Sequence, residues 1–148
     1  MSLFQRLNDD LKEAMKSGET LRRDVIRMAI AAMKNRRIEL IVKELDATEE
    51  LGVLQKCVKT REESALVYDQ GGRPELAQKE RDEIAILQTY LPKKLSEAET
   101  RATIAALAQE LGVSEKKQLG VLMKAVTARY QGQIDGKLAS KLAGEILK

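Results

Sequence analysis

Apolar residues recur every three or four positions through most of the chain, the spacing of one buried face on an α-helix. Leu3, Leu7, Leu11, Ala14 and Met15 form the first stripe. Ser2 with Gln5 three residues on has the spacing of a capping box, and Gly18 closes the segment. A second helix is expected from Thr20 to Lys43. Its apolar positions Val25, Ile26, Ala29, Ile30, Ala32 and Met33 make a face wide enough for more than one neighbour. Asp46 and Glu49 repeat the cap spacing ahead of a third helix that offers Leu51, Leu54, Val58, Ala65 and Leu66 for packing. "DQGGRPE" at 69–75 reads as a turn, with Pro74 at the first position of a fourth helix. That helix carries Leu76, Ile84, Leu87 and Leu91, and Pro92 stops it.

The residue before a proline is biased away from helical geometry, so "YLPKKLS" predicts a boundary there. Beyond it, Ser96 and Glu99 give another cap, and Ile104, Leu107, Ala108 and Leu111 a stripe ended by Gly112. A helix over 115–130 carries Leu119, Leu122, Met123, Val126 and Tyr130. Asp135 is the N-cap expected for a last helix with Leu138, Leu142, Ile146 and Leu147. The pattern predicts an all-α protein: an N-terminal helical domain over 1–92 and a small three-helix domain over 93–148.

Composition adds that the core is aliphatic, because the chain has no Trp and a single Phe, Phe4. The net charge of +3 says little by itself, but its distribution is uneven. Residues 1–90 hold 16 basic and 17 acidic side chains, whereas 91–148 hold 10 and 6, a net +4. The distal part is therefore the better candidate for an anionic partner. The one cysteine, Cys57, cannot close an intramolecular disulfide, and its place in an apolar stripe predicts a buried structural role. No apolar run approaches the length of a bilayer span, and the first residues lack the apolar core of a signal peptide, so the expected location is cytoplasmic with no membrane partner.

Several chemistries are excluded. Without His, imidazole catalysis and histidine metal ligation are absent, and one Cys makes no multi-thiolate site. No cofactor is called for. "GQIDGK" at 132–137 resembles a phosphate loop only superficially: three residues separate Gly132 from Gly136, and Leu138 stands where Ser or Thr is required. The structural reading gives Gly132 a positive backbone dihedral, Asp135 a capping role and Gly136 a close helix approach. Arg22, Arg23 and Arg27, followed by Lys34, Arg36 and Arg37, are interleaved with acids and read as a salt-bridged solvent face. Lys137, Lys141 and Lys148 have the spacing of one face of the last helix; with Lys117, Lys124 and Arg129 they form a candidate patch for a phosphate backbone.

Three stretches together resemble the YqeY-like family, whose fold is similar to the C-terminal portion of the GatB subunit of tRNA-dependent amidotransferases. They are "SLFQRLNDDLKEAMKSG" with "VIRMAIAAMKN" at the start, "ILQTYLPKKLSEAE" at 86–99, and "LGVLMKAVTARYQGQIDGKLASKL" at 119–142. The resemblance implies a GatB/YqeY domain that binds tRNA or another structured RNA, or docks on a tRNA-processing protein complex, as an amidotransferase-associated module. It marks Tyr90, Pro92, Gly120, Gly132, Asp135 and Gly136 as framework positions and Lys124 and Lys137 as phosphate contacts. Val121 and Gln133 stand where the family pattern is commonly basic, which favours the alternative of a protein-interaction or structural helper. A carbon–nitrogen ligase-associated enzyme is the remote alternative. The chain supplies neither an amidase triad nor an ATP loop, so it is not expected to be an enzyme by itself.

Overall fold

The computed structural model describes residues 1–148 as helices and connecting turns. In order these are α1 (Leu3–Ser17), α2 (Thr20–Leu40), α3 (Ala47–Gln70), α4 (Pro74–Gln88), α5 (Glu97–Leu111), α6 (Leu119–Arg129) and α7 (Gly136–Ile146), with a 3₁₀ turn at Lys116–Gln118 leading into α6. The chain divides into two compact units, Met1–Leu91 and Pro92–Lys148.

In the N-terminal unit α1 pairs with α2, α3 pairs with α4, and α2 touches both helices of the second pair. Leu7, Val25, Ile26, Ala29, Met33, Leu54 and Leu87 fill the space between them. Burying each Leu or Ile side chain contributes roughly 1.5–3 kcal/mol. Ser2 and Gln5 form the full capping box at the start of α1: the Ser2 hydroxyl accepts from the Gln5 N–H at 3.2 Å, and Gln5 Oε1 accepts from the Ser2 N–H at 3.0 Å. At α3 only half the box forms. Asp46 accepts from the Glu49 N–H at 2.8 Å, but the Glu49 carboxylate turns to Arg36 Nε of α2 at 3.0 Å. Met15 and Leu66, assigned to apolar stripes by spacing, are exposed.

Two helix ends differ from the pattern. α2 stops at Leu40, short of Lys43, because Ile41 turns left-handed at φ 56°. Its N–H donates to the Ile38 carbonyl, and the Val42 N–H reaches back to Arg37 O at 3.1 Å. That bond pattern usually places glycine at the turning residue, and a side chain there costs about 1–2 kcal/mol. Leu91 lies beyond α4. The N–H groups of Thr89, Tyr90 and Leu91 donate to the carbonyls of Ile86, Leu87 and Gln88, a tightened turn that ends the helix before Pro92.

Two charged side chains are buried in this unit. Glu50 accepts from the Phe4 N–H of α1 at 2.8 Å. Arg61 donates to the Cys57 carbonyl at 3.0 Å and lies 3.8 Å from Glu83, whose carboxyl is pushed up by burial. Tyr90 is also buried; its hydroxyl donates to Asp10, and Arg6 stacks 4.6 Å from its ring centre.

The C-terminal unit is a triangle of α5, α6 and α7 in which each helix packs on the other two. Its core is Ile104, Leu107, Leu122, Val126, Ala139, Leu142, Ala143 and Leu147, with Thr100 the one buried polar side chain. Ser96 and Glu99 form a full capping box on α5, and the Ser96 amide holds the Glu99 carboxyl below its usual range. The end of α7 is fastened by main-chain bonds: the Lys148 N–H donates to Ser114 O at 2.8 Å, and Lys148 O accepts from the Lys116 N–H at 3.3 Å.

Candidate nucleic-acid interface

The connection between α6 and α7 positions the candidate lysines. Gly132 has φ 79°, a conformation that only glycine adopts without strain. The Gln133 N–H donates to Tyr130 O at 3.0 Å, and Gln133 O accepts from the Leu95 N–H at 2.7 Å. Asp135 then caps α7: its Oδ1 accepts from the Lys137 N–H at 2.9 Å. Tyr130 packs against the core of this unit. Gly136 differs from the expected close approach of two helices, since a Cβ built there meets nothing within 4 Å. Gly120 is equally open.

Lys137 and Lys141 stand one turn apart on the exposed face of α7, away from the buried Ala139, Leu142 and Ala143. Lys124 is exposed on α6, opposite the buried stripe of Leu122 and Val126. Because the three helices close a triangle, the outer faces of α6 and α7 diverge. Lys137 and Lys141 therefore make one outward row on α7, and Lys124 stands apart on α6.

The other two candidates are already engaged. Arg129 grips both carboxylate oxygens of Glu110, at 2.9 and 2.8 Å. The guanidinium holds the Glu110 carboxyl below its usual range, and Glu110 raises Arg129 in turn. Lys117 pairs with Glu115 at 3.0 Å, and a third pair joins Arg101 to Glu145 at 2.7 Å. Lys124, Lys137 and Lys141 make no ion pair.

Three further exposed lysines, Lys93, Lys94 and Lys116, escaped the sequence patch, and Lys148, expected on the face of Lys137 and Lys141, lies beyond the end of α7; none of the four is ion-paired. The Leu95–Gln133 bond brings the segment bearing Lys93 and Lys94 to the α6–α7 connection, beside the start of the Lys137 row. The Lys116–Lys148 main-chain bond sets those two residues side by side. The "PKK" run was visible as a signal, but both juxtapositions depend on contacts between distant parts of the chain.

In the N-terminal unit, the basic clusters form the expected ion-paired surface only in part, because Arg27, Lys34 and Arg37 make no ion pair. Arg22 meets Glu19 at 3.2 Å and Asp10 at 3.8 Å, Arg23 meets Asp24 at 3.0 Å, and Arg36 bridges Glu39 and Glu49. Cys57 is half-buried rather than enclosed, and lines a groove between α2 and α3 with Asn35, Arg36, Thr60 and Arg61. Burial pushes its thiol up, against the opposing pull of Arg61, so the reactive thiolate is disfavoured. No group of three or more His, Cys, Asp or Glu side chains is placed to hold a metal. No helix is long and apolar enough to cross a membrane.

Among curated proteins, the chain is similar to three yeast proteins called "Altered inheritance of mitochondria protein 41, mitochondrial". The Lachancea thermotolerans protein is 33% identical over 107 residues, covering 71% of this chain and 57% of the relative. That of Vanderwaltozyma polyspora is 33% identical over 85 residues, covering 57% and 46%, and that of Kluyveromyces lactis 34% over 84, covering 57% and 45%. The chain thus spans about half the length of the curated relatives it matches. The mitochondrial location in the names of these relatives corrects the expectation of cytoplasmic residence. That expectation rested on an unpaired cysteine and on the lack of a secretory segment, and neither observation distinguishes the cytoplasm from the interior of an organelle. The match that covers nearly everything is to a family model: residues 4–147 fit the model described as Yqey-like protein, and the chain belongs to that family.

Proposed function

We propose that the C-terminal unit is a noncatalytic module that grips the phosphate backbone of a structured RNA, with tRNA the favoured class, alone or within a tRNA-processing assembly. The observation that carries this reading is the set of exposed, ion-pair-free lysines: Lys124 on α6 and Lys137 with Lys141 on α7. Of the six acids in this unit, Glu110, Glu115 and Glu145 are bound by basic partners, Glu99 and Asp135 cap helices, and Glu97 is the one exposed with neither an ion pair nor a cap to occupy it. Contacts of lysine with phosphate position an RNA without reading its bases, so affinity falls as salt rises. A row on α7 with a separate amine on α6 suits a folded RNA that wraps around the unit better than a single straight strand.

The test compares wild type with a Lys124→Glu, Lys137→Glu, Lys141→Glu variant, both checked for helicity, in tRNA binding over a salt series. The variant should lose affinity and flatten the log–log salt dependence by a slope of about 2–3. Equal binding and equal slopes in two folded proteins would remove these lysines from the reading. Absence of binding in both would favour the protein-docking alternative, which has its own support in the exposed aliphatic residues at the end of α2.

A further inference from the structure

Five Leu, Ile or Val side chains are more than half exposed, namely Ile38 (74%), Ile41 (91%), Leu66 (59%), Val67 (65%) and Val121 (58%), and four of them gather in two places on the N-terminal unit. The first place is the end of α2. There Ile38, Ile41 and Val42 line a shallow trough of about 660 Å³ whose rim is Lys34, Arg37 and Lys43. None of these three cations makes an ion pair. Arg37 lies 3.8 Å over the Phe4 ring, and its Nε has no hydrogen-bond partner. The left-handed backbone at Ile41 adds a second peculiarity: a strained position that glycine would relax instead carries a bare β-branched side chain.

The second place is the exposed face of α3. Leu66 and Val67 follow one turn after Glu62 and Glu63, which are exposed and also free of ion pairs. Lys59, a turn earlier, ends the acidic stretch. One surface is thus apolar with a basic rim, and the other apolar with an acidic rim. The first precedes α3 and the second lies near its far end, about 28 Å along at 1.5 Å per residue. Within one chain they cannot cover each other.

We propose that these surfaces are the two halves of a contact between copies of this chain, the Leu66–Val67 face of one copy seating in the Ile38–Ile41–Val42 trough of another. Glu62 and Glu63 then meet Lys34, Arg37 and Lys43 around an apolar centre, the usual arrangement of a specific interface. The contact is smaller than an obligate dimer requires, so the association depends on concentration. A contact between unlike surfaces either is used twice about a two-fold axis or propagates along a chain of copies.

Sedimentation velocity of the full chain over a concentration series tests it. The wild type should gain apparent mass with concentration. Ile41→Gly, which relieves the backbone, should keep the fold and lose the association. The pairs Lys34→Glu with Lys43→Glu, and Glu62→Lys with Glu63→Lys, should each weaken it about tenfold or more by placing like charges together. All four reversals in one chain should restore it, a rescue that a merely structural role would not give. A wild type that stays monomeric throughout, reversals without effect, or a fourfold variant that fails to recover would each overturn the proposal. So would co-sedimentation of the wild type with phosphatidylglycerol vesicles that is lost in the Lys34→Glu, Lys43→Glu variant, which would assign the trough to a lipid surface.

Discussion

In the N-terminal unit Glu50 and Arg61 lie inside the helix packing, and Arg36 reaches from α2 to Glu49 of α3. In the C-terminal unit no charged side chain is buried, and Lys93, Lys94, Lys116, Lys124, Lys137, Lys141 and Lys148 make no ion pair. The difference concerns what charge is for. In the first unit, charges hold helices to one another. In the second, the pairs that join helices, Arg101–Glu145 and Arg129–Glu110, lie at the surface over an aliphatic and alanine core, and most of the positive charge remains exposed and unpaired. Exposed charges contribute little to stability, so reversing lysines in the second unit should spare its fold.

The sharpest way to break the comparison is to damage one core at a time. Leu54 and Leu122 are both fully buried, one in each unit. Truncation of either to Ala should remove about 2–5 kcal/mol. A core as small as that of the C-terminal unit supplies on the order of 3–5 kcal/mol. Leu122→Ala should therefore abolish the amide protection of α5–α7 while α1–α4 keep theirs, and Leu54→Ala should do the reverse more mildly. Hydrogen exchange read by mass spectrometry checks both. Loss of protection across both units in either variant would show that they stand or fall together.

A smaller effect tests whether the first unit's charges are structural. Tyr90→Phe removes the hydroxyl bonded to Asp10 and should cost about 1.5–3 kcal/mol near neutral pH, toward the lower end because Arg22 still faces Asp10. Burial, then the bond to Asp10, pushes the Tyr90 phenol up from 10.0 to about 12. A raised folded pKa gives stability that is complete below pH 10 and is lost as pH climbs toward 12. Chemical unfolding of wild type and variant should accordingly converge over that interval. A gap that stays constant across it would uncouple the phenol from stability.

The smallest effect separates support from contact in the second unit. Asp135→Ala should cost about 0.5–2 kcal/mol through the lost cap on the Lys137 N–H, and Asp135→Asn should recover most of it. Removal of an acid beside the lysine row should not weaken RNA binding once the protein is folded. Thermal unfolding and the tRNA salt series, run together, would show otherwise if affinity dropped in a variant of intact helicity.

Much of the fold was legible wherever its cause is local. Ser2 with Gln5 and Ser96 with Glu99 close their boxes within one turn, and the positive φ of Gly132 follows from its residue type. Legibility failed where a distant partner decides. Glu49 has the right spacing for a box, but Arg36 takes its carboxylate. Arg129 reads as a phosphate ligand until Glu110, on the neighbouring helix, is seen to hold it. Apolar spacing gives no hint that Glu50 or Arg61 would be buried. The run "ELIVK" continues a helical pattern, and no glycine announces the turn at Ile41. For the candidate site, the sequence offered the lysines but not their division between the outward faces of α6 and α7, which depends on how three helices close a triangle.

The carboxylate of Glu50 on the Phe4 N–H has a kinetic consequence. The box formed by Ser2 and Gln5 closes over three residues and lets the first turn of α1 nucleate without help. Glu50 arrives from 46 residues away, after α2 has folded back and α3 has begun, and the entropy of closing that loop grows with the logarithm of its length. The beginning of the chain is therefore fastened on two clocks: a fast one set by neighbours, and a slow one that closes only when the two helical pairs have met.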